Sequence, residues 1–219
     1  VITIDGGTTN TRCILWDMER RKIAEEKRQV GVRNTAIDGN NHRLKEAVRD
    51  CLEGLLGTGR IGYNQISRII ASGMITSDVG IVEIPHLTAP AGLEELARSV
   101  VPVKLEEICP LPIYFIPGIK NAVKNIGLDN FEAMDIMRGE ETEVVALLRG
   151  RGKGEDLIFI LPGSHTKIIY ANEEGVICRC KTTMSGELFD ALFFHTLLKE
   201  SLPDFFVGEE EYDYHAVLD

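Results

Sequence analysis

The chain has 219 residues, 44% hydrophobic and 26% charged, which is enough apolar material for one good core or two modest ones and excludes wholesale disorder. Its formal net charge is -10, from 24 Lys and Arg against 34 Asp and Glu. With no dense basic stripe to reverse that charge locally, nucleic acid and anionic membranes are poor partners, whereas a small anion held by a few aimed donors is not excluded.

No stretch reaches the ~20 apolar residues of a membrane span. Val1–Asp5 already reads as a buried strand, so no signal peptide is expected ahead of it and the cytoplasm is the expected compartment. The five cysteines (Cys13, Cys51, Cys109, Cys178 and Cys180) are odd in number and irregularly spaced, as reduced core or strand residues are. Cys178 and Cys180 stand two apart in a strand-like run and should share one face. No second ligand pair accompanies them for zinc.

In chain order, Val1–Asp5, Cys13–Asp17 and Lys22–Val32 read as three strands, the start of an antiparallel sheet. A helix is predicted over about His42–Leu56, because Leu44, Ala47, Val48, Cys51, Leu52, Leu55 and Leu56 recur at three- and four-residue steps. Asp38, Asn40 and Asn41 offer caps at its start, and Gly57 and Gly59 end it. Arg68–Ala71 reads as a strand, Met74–Gly92 as an irregular loop, Leu93–Ser99 as a short helix, and Val101–Leu105 and Ile113–Ile116 as strands. A helix at about Glu140–Arg149 leads into Gly150-Arg151-Gly152-Lys153-Gly154, a plausible hinge. Strands at Leu157–Leu161, Lys167–Ala171 and Val176–Lys181 follow, and then a helix over Gly186–Lys199 capped by Ser185, with Leu188, Phe189, Leu192, Phe193 and Leu197 on one face.

One unit therefore occurs twice: strand, polar turn, strand, strand, helix. A β-β-β-α unit duplicated across a cleft is the order of the actin, hexokinase and heat-shock ATPase superfamily, an α/β fold of ribonuclease H-like lobes. Order alone does not establish function.

Three polar segments carry candidate chemistry. Asp5-Gly6-Gly7-Thr8-Thr9-Asn10-Thr11-Arg12 joins two strands. Its glycines let the backbone approach an anion, and its threonines add hydroxyls. Gly6, Gly7, Thr8 and Thr9 are the expected phosphate contacts, and Asp5, at a strand end, the expected partner of magnesium. The competing reading is an ordinary hairpin. Leu161-Pro162-Gly163-Ser164-His165-Thr166-Lys167 is the corresponding turn of the second unit, with Gly163, Ser164 and Lys167 as phosphate contacts. Met137-Arg138-Gly139-Glu140-Glu141-Thr142 puts two carboxylates at a helix start. Either could accept a hydroxyl proton in phosphoryl transfer, or merely offset the helix dipole.

Together with Thr183-Met184-Ser185-Gly186-Glu187-Leu188, these blocks resemble the 2-dehydro-3-deoxygalactonokinases, in that family's order and over nearly the whole chain. Met-Arg-Gly-Glu-Glu-Thr and Pro-Gly-Ser-His-Thr-Lys are specific signals; Asp-Gly-Gly-Thr-Thr is shared across the superfamily. The resemblance implies ATP, Mg²⁺ and transfer to the 6-hydroxyl of 2-dehydro-3-deoxy-D-galactonate. In related sugar kinases a Gly-Asp pair opens the equivalent helix and its Asp is the base. Gly139-Glu140 takes that place here, with Glu141 as second candidate. An anionic substrate calls for cations, and Arg12 and Arg138 are in position, unless Arg12 or Arg138 instead pairs with Asp17 or Glu141. Asn10, Met74, Ser77 and His165 complete the expected substrate contacts.

The expected lobes are residues 1–138 and 139–219, the second incomplete and without its adenosine-binding segment. The expected partners are a sugar acid and a nucleotide, with a second copy of the chain in a homodimer as a further candidate. The rival readings are a non-enzymatic or regulatory actin-like ATP-binding protein and a kinase for another 2-keto-3-deoxy sugar acid.

Overall fold

The computed structural model describes residues 1–150 and 154–201. Arg151, Gly152 and Lys153 of the expected hinge lie outside the described residues. The chain folds into two compact units, Val1–Leu161 with Lys167–Thr182, and Pro162–Thr166 with Thr183–Asp219.

The first unit opens as expected, with β1 (Ile2–Gly6), β2 (Thr11–Trp16) and β3 (Lys22–Arg28) in an antiparallel meander. β3 ends earlier than its sequence pattern, and the Val30 carbonyl instead accepts the buried Thr11 hydroxyl at 2.8 Å. A helix the pattern did not reveal, α1 (Val32–Asp38), comes next. Only Val32 of it is buried, so it has no apolar periodicity to read. Helix α2 (His42–Gly59) buries Leu44, Ala47, Val48, Cys51, Leu52 and Leu55, the predicted stripe, and Arg60 rather than a glycine takes the left-handed position after it.

β4 (Ile69–Gly73) lies parallel to β1. The segment after it begins with a 3-10 turn, Met74–Thr76, and contains β5 (Leu87–Thr88). Then come α3 (Leu93–Arg98), β6 (Val101–Val103) and β7 (Ile113–Phe115). The six-stranded sheet has the order β3-β2-β1-β4-β7-β6. β7 is parallel to β4 and the edge strand β6 antiparallel to β7; an antiparallel meander extended by two parallel strands is the ribonuclease H-like arrangement of the actin-like ATPases. Its core gathers Ile2, Ile4, Leu15, Leu52, Ile69, Ile75 and Phe115, all essentially inaccessible.

A second core lies around Ile119, Met137, Val144, Ile169 and Ile177. Here β5 pairs with β8 (Ile119–Lys120), and β8 with β9 (Ile136–Met137), a small sheet too short to show in the sequence pattern. Helix α4 (Glu140–Arg149) begins and ends where predicted. β10 (Leu157–Leu161), β11 (Thr166–Ala171) and β12 (Ile177–Thr183) form the second meander. Cys178 is exposed and Cys180 buried. Buried positions on β12 fall at Ile177 and Cys180, an irregular step that breaks the expected sharing of a face.

Side-chain polar bonds join the two small sheets. Asn121 Nδ2 donates to Ala133 O at 2.9 Å and Cys180 O at 2.8 Å, and Asn121 Oδ1 accepts from Cys180 N at 2.8 Å. Asp135 Oδ1 accepts the Thr182 hydroxyl at 2.7 Å. Buried groups of this kind are costly when a partner is lost.

In the second unit, α5 (Ser185–His195) is shorter than predicted. The Thr196 hydroxyl donates to Leu192 O at 2.7 Å and accepts from Leu198 N at 3.2 Å, and a 3-10 turn, Leu197–Ser201, follows. Met184, not Ser185, is the capping position. None of the helices among the described residues is long and apolar enough to cross a membrane.

Asn121→Ala would leave the backbone N–H and C=O of Cys180 unpaired inside the second core. At ~1–3 kcal/mol for an unsatisfied buried group, the expected loss is about 3 kcal/mol, read as a lower urea midpoint with an unchanged slope.

Candidate active site

β1 and β4 run side by side, with Gly6 opposite Gly73 and Asp5 opposite Ser72. A Cβ on Gly6 would stand 2.5 Å from Ile75 Cβ; one on Gly73 would stand 2.7 Å from Gly6 O and 3.3 Å from Asp5 Oδ1. A Cβ on Gly139, at the start of α4, would stand 3.3 Å from the Gly73 α-carbon. Gly73 and Gly139 adopt φ of +86° and +118°, a region that side-chain-bearing residues avoid. The ends of β1 and β4 and the start of α4 thus converge on three glycines, and they carry Asp5, Met74–Ser77 and Glu140 into one neighbourhood.

The carboxylates there differ. Glu140 is partly exposed, and its Oε2 accepts the Arg138 N–H at 2.9 Å. Glu141 is fully buried, and both its oxygens accept the Gly139 N–H, at 2.9 and 2.8 Å. Burial pushes the Glu141 carboxyl up to about 7, against the pull of backbone N–H groups and of Arg138. Asp5 is raised by desolvation, which the charge of Arg12 opposes. Glu143, one residue beyond the sequence motif, is also raised, by desolvation and by the charges of Glu140 and Asp5. Its spacing of three from Glu140 puts both on one helix face, the signal that could have singled it out.

Arg138 is heavily engaged. Nη1 donates to Thr76 O at 2.6 Å and to the Thr76 hydroxyl; Nη2 donates to Ile84 O at 3.1 Å and lies 3.2 Å from His86 Nδ1. Burial and the Arg138 charge lower His86 to about 4, so its ring is neutral and Nδ1 accepts. The guanidinium therefore ties the segment from Thr76 to His86 to the end of β9. Ser77 donates its hydroxyl to Met74 O at 2.7 Å, within its own turn. Arg12 pairs with Glu25 at 3.5 Å, not with Asp17 or Glu141.

In the Gly6–Thr9 turn the Gly7 N–H is used on Asn10 O at 2.8 Å, and Asn10 Nδ2 donates to the Thr9 hydroxyl at 2.9 Å. The amides of Thr8 and Thr9 have no hydrogen-bond partner among the described residues, which suits an anion. The turn's carbonyls face the other way: Gly7 O and Thr8 O accept from Val32 N at 3.2 Å and Arg33 N at 2.9 Å. Thr9, Asn10 and Arg33 border an open recess of about 320 Å³. A roomier recess of about 670 Å³, bordered by Arg68, Tyr114 and Arg149, contains none of these carboxylates.

In the second unit the Ser164 carbonyl accepts from Glu187 N at 3.0 Å, and His165 Nε2 lies 2.8 Å from Glu187 Oε2. A Cβ on Gly186 would stand 2.2 Å from Gly163 O, as one on Gly31 would stand 2.4 Å from Thr8 O. Both polar turns are thus seated on a glycine at a helix start. Lys167 is buried in the first unit, with Nζ 2.7 Å from both Ile136 O and the Thr182 hydroxyl.

The chain matches the family described as 2-keto-3-deoxy-galactonokinase over residues 5–215. It belongs to that family. The 2-dehydro-3-deoxygalactonokinase of Escherichia coli (strain K12) is 26% identical over 204 residues, 92% of this chain and 59% of that protein. A Rhizobium meliloti protein assigned the same activity is 36% identical over 70 residues, 32% of this chain and 22% of that protein. A Sinorhizobium meliloti protein of known crystal structure, assigned as a 2-dehydro-3-deoxygalactonokinase, superposes with a TM-score of 0.74 at 24% identity, over 94% of this chain and 62% of that one. That likeness carries the fold. This member of the 2-keto-3-deoxy-galactonokinase family spans about 59% of the length of its Escherichia coli relative.

The Glu141 shift has a sign that can be tested. An acid whose folded value lies above its unfolded one stabilises the fold when protonated, and that contribution is lost as pH rises through the folded value. Between the ordinary 4.5 and about 7, stability is expected to fall by on the order of 3 kcal/mol at ~1.4 kcal/mol per unit. Urea midpoints taken across pH 4.5 to 7.5 should show this slope in the wild type and a flatter one in Glu141→Gln.

Proposed function

We propose that this chain carries the phosphate turns and the acceptor-activating carboxylate of an ATP-dependent sugar-acid kinase. In it the γ-phosphoryl group of ATP passes to the 6-hydroxyl of 2-dehydro-3-deoxy-D-galactonate. The observation that supports this best is the placing of a partly exposed carboxylate, Glu140, on the backbone junction that also holds Asp5. The named activity of the relatives agrees with it.

In this reading the acceptor hydroxyl gives its proton to Glu140 as its oxygen bonds to the γ-phosphorus and the bond to the ADP oxygen breaks. Phosphoryl transfer asks for placement and charge stabilisation more than covalent help. Glu140 retains an oxygen free of the Arg138 N–H, whereas both oxygens of Glu141 are engaged on Gly139. Glu140 is therefore the base and Glu141 the clamp that fixes the helix start. Asp5 would hold Mg²⁺. No cluster of three or more metal-binding side chains exists among the described residues, and one carboxylate with phosphates and waters is a habitual magnesium environment. Bound there, the ion would offset charge on the phosphates.

The unpartnered amides of Thr8 and Thr9, following Gly6 and Gly7, suit phosphate oxygens in the first unit; the Gly163-Ser164 turn is a separate phosphate candidate within the second unit. Lys167 adds charge. For the sugar acid, Arg12 and Asn10 offer polar contacts, and Arg138 holds the Met74–Ser77 segment in place. ATP, Mg²⁺, a single small sugar acid and a cytoplasmic setting belong to this proposal; membrane and nucleic acid do not.

A coupled ADP-release assay with galactonate- and gluconate-derived 2-keto-3-deoxy acids tests the reading. Glu140→Gln should lower kcat about 10²–10⁴-fold, the usual cost of a lost general base, with KM for the sugar acid little changed. Loss confined to Glu141→Gln would move the base to Glu141, and full turnover in both would remove the carboxylate-base mechanism. Asp5→Asn should cut turnover at least about a hundredfold; near-normal turnover at saturating Mg²⁺ would overturn the metal assignment.

A further inference from the structure

Glu140 and Asp5 belong to elements far apart in the chain, and no hydrogen bond or ion pair joins them among the described residues. The elements that carry them meet through backbone at Gly139 and Gly73. The Gly139 α-carbon is seated over Gly73, so that a Cβ on Gly139 would stand only 3.3 Å from the Gly73 α-carbon. Gly73 in turn lies against Gly6 O and Asp5 Oδ1. The Gly73 carbonyl accepts the buried Thr76 hydroxyl at 3.0 Å, and Thr76 is the residue Arg138 grips. On the other side, Glu141 holds the Gly139 N–H with both oxygens. The contact is thus fastened from both ends, and of the fastening residues Arg138 reaches the partly exposed carboxylate of Glu140 through its backbone N–H, while Thr76 and Glu141 make no hydrogen bond to it.

We propose that Gly139 is a positioning residue, whose bare α-carbon on Gly73 sets the separation between the Glu140 and Asp5 carboxylates. The proposal rests on the kinase reading above, in which Glu140 takes the acceptor proton. A methyl at residue 139 has two effects. It meets Gly73 at a distance tighter than most real Cβ contacts, and it must take a φ of +118°, which L side chains resist. Both push the first turn of α4 away from β4. Glu140 keeps its chemistry and loses its place. Misplacement of a reacting group by ~1 Å can cost 10²-fold in rate, and a few tenths of an ångström should cost about tenfold.

The test is a double-mutant cycle on kcat. Gly139→Ala is expected to lower kcat about tenfold, with KM for the sugar acid within about threefold of wild type. In the Glu140→Gln background the same substitution should cost nothing further, because there is no longer a base to misplace. A loss of the same factor in both backgrounds, or unchanged kcat in the single variant, overturns the positioning role. Thermal melts of each variant separate these results from unfolding. If Gly139→Ala does not fold, the cycle is run with Thr76→Val, which releases the Gly73 carbonyl without adding bulk at the contact. The same roughly tenfold, non-additive loss is expected, and an additive one overturns the proposal. A failure of the underlying reading looks different: Glu140→Gln alone then turns over as fast as wild type.

Discussion

Everything placed around the candidate site depends on three backbones meeting with nothing between them. β1 ends at Gly6, β4 at Gly73, and α4 starts after Gly139, and a single added Cβ at any of the three would strike a neighbour at 3.3 Å or less. Two of the three also need positive φ, so the junction selects glycine both by space and by conformation. Asp5, the Met74–Ser77 turn and the acidic start of α4 are side chains hung on the rim of that junction. Their proximity is a property of main-chain packing.

The acidic helix start shows how neighbouring identical residues divide their work. Glu140 and Glu141 follow one another, and one full turn cannot put both on the same face. Glu141 turns inward and is neutralised by burial toward pH 7 while it caps Gly139. Glu140 turns outward and keeps solvent access. Glu143 rejoins the face of Glu140 and senses the charge of both Glu140 and Asp5. Arg138 balances this acid from behind and binds the Thr76–His86 segment through main-chain carbonyls. Burial, helped by the same guanidinium, keeps His86 unprotonated. An arginine in a motif of this kind is as much a fastening as a ligand-binding group.

The two polar turns share one construction despite different sequences. Each turns a carbonyl toward a helix start, and in each a glycine there, Gly31 or Gly186, allows the approach. In the first turn this leaves the Thr8 and Thr9 amides without partners among the described residues. A turn whose acceptors are already satisfied by a helix is free to present donors, which is the requirement for binding phosphate.

Much of this is legible in the chain itself. The α2 stripe from Leu44 to Leu55, the strands of both meanders and the start of α4 at Glu140 follow from side-chain patterns that act within a few residues of chain. The polar motifs declared family and chemistry for a similar reason: their residue types sit next to one another in sequence. Short α1 was hidden because only Val32 is buried, the β5-β8-β9 sheet because two-residue strands have no period, and the different exposure of Cys178 and Cys180 because β12 is irregular. The sequence by itself thus determined the fold class, the repeated unit and the identity of the acidic motif. Only the tertiary structure decided that Glu141 is buried and Glu140 open, that Arg138 grips Thr76, that Arg12 pairs with Glu25, and that Gly139 rests on Gly73. Those outcomes depend on how chain segments pack against one another, most of them dozens of residues apart, and local patterns of hydrophobicity carry no record of which distant backbone will come within van der Waals reach.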